Sequence, residues 1–230
     1  MILFGPARWQ KYLITKTSGY QPILCEEERF VFDTLEKYLG KADIAYDIGA
    51  NEGIISCFMA KRCPDGKVFC FEPVPDNMTV LKSNFELNKC TPQLVFVSCA
   101  VSNKDGKATF YSGPNRCEGH LEESEFGSRN SECTVVDTVT LDTFVYDLGN
   151  EPPNLIKIDV EGAGGLVLEG AQRLLSELRP TIILEFHDIT ESLRAGKIIS
   201  DNGYIAYTNK GQIWDYKSFS HFIVCWDNKS

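Results

Sequence analysis

Apolar residues recur at helical spacing from Glu26 to Leu39, at Phe30, Val31, Leu35 and Leu39. This predicts an amphipathic helix stopped by Gly40. The pattern then changes. Ile44 to Ile48 is a short apolar run of strand length, and Gly53 to Arg62 has helical character up to the break at Pro64-Asp65-Gly66. Lys67 to Phe71 reads as a second strand, Asp76 to Asn88 as a helix and Leu94 to Ser98 as a third strand. Strand–helix alternation at this pitch implies a parallel sheet with helices on both faces.

The alternation pauses between about 102 and 137, where Gly, Ser, Asn and Glu are frequent. Short strands are expected at Lys107 to Tyr111 and Thr134 to Val139, separated by a mobile stretch from Gly113 to Glu132. The rhythm resumes with a strand at Leu155 to Asp159, a helix at Leu166 to Leu178, a strand at Thr181 to Phe186 and a helix at Thr190 to Ser200. Tyr204 to Thr208 and Phe222 to Trp226 complete about seven strands. The expectation is an α/β protein with a Rossmann-like doubly wound sheet, mostly parallel. It would form a single domain over residues 1–230, with a helical extension at 1–42 and the core at 43–230.

The 230-residue length suits one sizeable core. Net charge is −9 with no Lys/Arg cluster, so nucleic acid is not an expected partner. No apolar run approaches the roughly 20 residues of a membrane span. The first 20 residues lack the apolar segment of a signal peptide. Nine cysteines without a CxxC pair argue against both a disulfide framework and a structural zinc site. A reducing, cytoplasmic setting is expected.

The principal motif is Tyr46-Asp47-Ile48-Gly49-Ala50-Asn51-Glu52-Gly53, where the first strand gives way to a helix. Gly49 and Gly53 would let backbone approach a ligand closely. Asp47 would set a carboxylate at the strand's carboxyl end, where open α/β sheets bind ligands. A dinucleotide fingerprint has a second glycine where Asn51 stands, so the usual pyrophosphate turn is missing. A carboxylate beside these glycines suits a cationic, hydroxyl-bearing ligand. S-adenosylmethionine carries an ammonium, a sulfonium and a ribose, and no phosphate. The competing reading is a glycine-rich turn with Asn51 as helix cap.

Glu72 ends the second strand, 19 residues after Gly53, where an acid accepts hydrogen bonds from both ribose hydroxyls. Ala100, after the third strand, is small enough for an adenine ring to lie against the backbone. Asp159 and Glu161 end the fourth strand, share one side of it and are expected to face Asp47 across the crevice. Helix capping is the plainer alternative for both acids. Glu185 and His187 alternate at the end of the fifth strand, and His187 could instead cap the next helix. Pro152-Pro153 precedes the fourth strand, which does not match the motif of base-amino methylating enzymes.

Together these segments resemble the FkbM-type methyltransferases. The resemblance rests on Asp47 to Gly53, Phe71-Glu72-Pro73, Val139-Thr140-Leu141-Asp142, Leu155 to Gly162, Leu168 to Ala171 and Leu184 to His187. It implies O-methylation of a hydroxyl on a sugar or secondary-metabolite-type small molecule, with S-adenosylmethionine as cofactor. Asp47, Gly49, Asn51, Gly53, Glu72, Ala100 and Asp159 are the candidates for cofactor binding. Asp159, Glu161 and His187 are the candidates for taking the acceptor's proton or binding the acceptor. The 113–132 stretch, with Arg116 and His120, would form part of a lid or acceptor wall. No metal is implied. The family often carries an acid two places after the Glu-Gly pair, where this chain has Gly164. The alternatives are an NAD-dependent oxidoreductase, which Asn51 opposes, and a non-catalytic cofactor-binding relative.

Overall fold

A computed structural model describes residues 10, 11, 13, 26–90, 93–111, 120–121, 133–216, 219–220 and 222–226. Helix α1 (Glu26–Tyr38) precedes β1 (Ile44–Ile48), α2 (Ile54–Arg62), β2 (Lys67–Phe71), α3 (Pro75–Asn88) and β3 (Gln93–Val97). Four short strands follow: β4 (Ala100–Val101), β5 (Gly106–Tyr111), β6 (His120–Leu121) and β7 (Cys133–Val139). A π-helical turn at Thr143–Asp147 leads to β8 (Leu155–Ile158), α4 (Gly164–Glu169), α5 (Gln172–Glu177), β9 (Thr181–Glu185), α6 (Ile189–Asp201), β10 (Ile205–Thr208) and β11 (Phe222–Trp226).

Seven strands form the main sheet in the order β10-β11-β9-β8-β1-β2-β3. Strands β1, β2, β3, β8 and β9 run parallel, and β11 is antiparallel to both β9 and β10. Chain order reverses between β1 and β8, which makes their carboxyl ends the switch point of the sheet.

The alternation of side chains along each strand divides the interior in two. Tyr46, Ile48, Phe69, Phe71, Ile156 and Ile158 pack with α4, α5 and α6 through residues such as Val167, Leu174 and Ile199. Ala45, Val68, Cys70 and Leu155 face α1, α2 and α3 through Leu35, Met59 and Leu81. Helices therefore cover both faces, as the near-continuous apolar strands require.

Two local differences from the sequence expectations have clear causes. The 166–178 helix is broken into α4 and α5 because Gly170 passes close to another backbone. A Cβ there would lie 2.2 Å from the carbonyl oxygen of Ser102. Asp142 then caps α5, accepting from the amides of Arg173 and Leu174. The insertion is a second sheet, ordered β4-β7-β5-β6, and Ala100 belongs to it instead of ending a main-sheet strand. The expected mobile stretch 113–132 lies outside the described residues except for His120 and Leu121.

Candidate active site

A cleft opens at the carboxyl ends of β1, β2 and β8. Six of the sequence-predicted residues line it: Gly49, Asn51, Glu72, Ala100, Asp159 and Glu161. Phe110, His120 and Leu121 of the second sheet also line it. Arg116 lies outside the described residues.

The turn after β1 is set by Gly49, whose φ is +77°. A Cβ there would lie 2.0 Å from the carbonyl oxygen of Asp159, so β1 and β8 converge only because residue 49 has no side chain. Asn51 is left-handed, with φ 49°, and is not the cap of α2. Its amide donates to Glu72 Oε2 at 2.9 Å, and its own buried Oδ1 has no hydrogen-bond partner. Glu72 Oε1 accepts from the Val74 amide at 2.8 Å. Burial raises the Glu72 carboxyl to about 7 against the pull of these amides. Oε1 also accepts from Asn77 Nδ2 at 3.4 Å, whereas Oε2 keeps a second lone pair to offer a ligand hydroxyl.

Gly53 departs from its expected role. It does not line the cleft, and its open side faces Leu81 of α3, which a Cβ would approach to 2.8 Å. Gly53 is therefore a packing glycine between α2 and α3.

Asp47 is the larger correction. It is fully buried on the α2 side of the sheet, behind the cleft wall, and not exposed to a ligand. Its Oδ2 accepts from Ser56 on α2, and its Oδ1 lies 3.3 Å from Lys157 Nζ. The same ammonium lies 3.1 Å from Asp159 Oδ2. Asp159 therefore meets Asp47 through a shared lysine, not across the crevice. Sequence reasoning passed over Lys157 and Ser56. The signal was there, since a lysine inside an apolar strand must be paired if it is buried.

Asp159 also meets His187. His187 Nε2 lies 3.3 Å from Asp159 Oδ1, and its Nδ1 lies 3.2 Å from Glu161 Oε2. A neutral imidazole has one N–H, so both contacts are satisfied together only by imidazolium. Burial alone would lower the His187 pKa. Asp159, with Glu161 and Glu185, instead holds it up at about 9. Burial acts on Asp159 in the opposite sense to Lys157 and His187, which keep its carboxyl well below the usual carboxylate range. The helix cap suggested for His187 is supplied instead by Asp188, which accepts from the Glu191 amide. Asp159, Glu185 and His187 do bring ligating atoms within 4.8 Å of one another. The Lys157 ammonium stands beside this group, 3.1 Å from Asp159 Oδ2.

The space beside Gly164, the position where the chain departs from the family pattern, holds the carboxylate of Glu191. This residue gave no sign of itself in the β9–α6 sequence beyond the Asp188-x-x-Glu191 capping pattern.

The doubly wound sheet carries a Gly-x-Asn turn at its switch point and an acid at the end of the neighbouring strand. The family model described as Methyltransferase FkbM domain matches residues 47–206, and the chain belongs to that family. S-adenosylmethionine is the cofactor that goes with this family and fold.

Over 165 residues the chain is 28% identical to the hexuronic acid methyltransferase AglP of Haloferax volcanii, covering 69% of this chain and 64% of that one. Over 161 residues it is 26% identical to the 2-O-methyltransferase NoeI of Sinorhizobium fredii, covering 63% of each. The chain thus spans just under two thirds of the length of these relatives. The crystal structure of methyltransferase FkbM from Methylobacillus flagellatus matches its fold with a TM-score of 0.56 at 18% identity, covering 81% of this chain and 44% of that one. No helix among the described residues is long and apolar enough to cross a membrane.

Proposed function

We propose that the protein transfers a methyl group from S-adenosylmethionine to a hydroxyl of a sugar or secondary-metabolite-type small molecule. One observation carries this reading: Asn51 and Glu72 line the same cleft as Asp159 and Glu161, the two carboxylates that His187 contacts from behind the lining. These acceptor groups suit the ribose and ammonium donors of the cofactor. Ala100 and the second-sheet residues Phe110 and Leu121 give an apolar wall for its adenine. AglP and NoeI, whose names specify a hexuronic acid and a 2-O position, support an oxygen on a sugar as the acceptor.

The bound cofactor supplies an activated methyl group on a sulfonium, so the protein's task is alignment and proton removal. Glu72 and Asn51 fix the nucleoside end. Glu161 is the group that takes the acceptor's proton as the methyl–oxygen bond forms. Asp159 is too weak a base for that step, held down by Lys157 and His187, and serves to orient. His187, as imidazolium, steadies both carboxylates. This changes its expected role from proton acceptor to positioning cation. The acids of this end outnumber its cations, which favours a sulfonium over the neutral thioether left after transfer.

Calorimetry with S-adenosylhomocysteine and NAD in parallel tests the cofactor, followed by a methyl-transfer screen over sugar hydroxyls and amines. Binding of NAD without S-adenosylhomocysteine sinks the reading, and transfer confined to amines sinks its O-specific part.

A further inference from the structure

The turn that carries His187 is held by a residue with no place in the reading above. Glu191 sits in the first turn of α6 and is 4% exposed. In an ordinary capping box the acid at this position reaches back to the amide of the cap residue, here Asp188. Glu191 does not. Its Oε2 accepts from the amide of His187 at 3.0 Å, one residue further back. Its Oε1 crosses to the amide of Gly164 at 2.7 Å, at the start of α4.

One buried carboxylate thus ties the segment after β8 to the segment after β9. Glu161 lies three residues before the first anchor, and His187 is the second. The 3.2 Å contact between Glu161 and His187 spans the same two segments. The bridge also dictates residue 164. A Cβ there would lie 2.7 Å from Glu191 Oε1 and 3.0 Å from Leu184 Cδ1.

We propose that Glu191 is a positioning residue that sets the Glu161–His187 pair at the acceptor end of the cleft by bridging the amides of Gly164 and His187, and that Gly164 is glycine to admit its carboxylate. This rests on the methyltransferase reading only for the meaning of that end of the cleft. The bridge itself is a property of the folded chain.

Ring-labelled histidine NMR reads the pair directly without an acceptor. The ring of His187 faces Asp159 and Glu161 from the segment after β8 and Glu185 from its own strand, with Lys157 behind Asp159. Glu191 itself faces His187 and Asp188. Glu191→Gln removes the charge and turns an amide N–H₂ toward one of the two backbone donors. Gly164→Ala and Glu191→Asp keep the charge but displace the carboxylate or shorten its reach. All three should lower the His187 titration midpoint from its parent value by about one unit or more as the carboxylates drift away. The affinity for S-adenosylhomocysteine should stay within about twofold of the parent, because Glu72 and Asn51 are untouched.

If only Glu191→Gln moves the midpoint and the two charge-keeping variants match the parent, the effect is long-range charge and the positioning role is wrong. If any charge-keeping variant that folds keeps the parent midpoint while melting earlier, the bridge is structural only and the proposal falls. Absence of S-adenosylhomocysteine binding in the parent would instead count against the methyltransferase reading and leave the midpoint test standing.

Discussion

Asp47 and Lys157 are register partners on the adjacent parallel strands β1 and β8, and their side chains meet 3.3 Å apart beneath the floor of the cleft. Both belong to the strand positions that face α2, where Ser56 donates to Asp47 Oδ2. Lys157 is held above its ordinary pKa: burial opposes its charge, but Asp159 and Asp47 outweigh it. The pair therefore joins the glycine turn after β1 to the acid-bearing segment after β8.

Lys157→Met should destabilise the fold by about 3–5 kcal/mol, because it leaves Asp47 buried without its cation. Urea denaturation measures this, and Asp47→Asn in the same chain should recover part of the loss. A loss below about 1 kcal/mol in the single variant would show that Ser56 alone satisfies Asp47.

His187 should make stability depend on pH. Its folded-state pKa of about 9 lies above the unfolded value of 6.5. Its contribution is then complete below pH 6.5 and is lost as pH rises through 9. The full effect is on the order of 3 kcal/mol. Thermal melts from pH 6 to 9.5 should show the decline in the parent and a flatter profile in His187→Gln. Parallel profiles would contradict the imidazolium assignment.

Glu72 should tune cofactor binding in the opposite sense. Ribose hydroxyls donate to the ionised carboxylate, and its pKa in the free protein is raised to about 7. S-adenosylhomocysteine should therefore bind more tightly at pH 8 than at pH 6. Glu72→Ala should weaken binding by on the order of 1.5–3 kcal/mol at pH 8. Calorimetry at both pH values decides it, and an unchanged affinity in the variant removes Glu72 from the site.

Glu161→Gln should lower methyl transfer to the screened acceptor by roughly 10²-fold or more, with little change in S-adenosylhomocysteine affinity. Turnover within a few-fold of the parent would move the proton-accepting role elsewhere.

Gly49→Ala and Gly203→Ala separate strain from collision. Both glycines have positive φ, 77° and 69°. No atom lies within 4 Å of a Cβ at 203, whereas a Cβ at 49 meets the Asp159 carbonyl at 2.0 Å. Gly203→Ala should cost about 1–2 kcal/mol. Gly49→Ala should cost clearly more and abolish cofactor binding. Equal melting shifts would show that β1 and β8 can part without harm.

Much of the fold follows from local pattern. The strands β1, β2, β8 and β9 are apolar runs of strand length between glycine- or proline-marked breaks, and alternation of strand and helix implies a parallel sheet. Gly49, Asn51, Glu72, Asp159 and Glu161 were legible as cleft residues because strand ends at a switch point converge wherever this sheet forms, whereas Ala100 reaches the cleft from the second sheet. The Gly170 break was not legible, since the cause is the distant Ser102 carbonyl.

The sequence by itself determined the elements, their order and which strand ends carry carboxylates, since these depend on short-range periodicity and on residue chemistry. Only the tertiary structure decided which way each carboxylate turned and what it met. Asp47 faces Lys157 because β1 and β8 are in register, and His187 closes on both Asp159 and Glu161. Glu191 reaches Gly164, 27 residues away in the chain, because α4 and α6 pack side by side. Charge pairing inside a low-dielectric interior depends on distances of 3 Å between residues remote in sequence, and no local pattern encodes those.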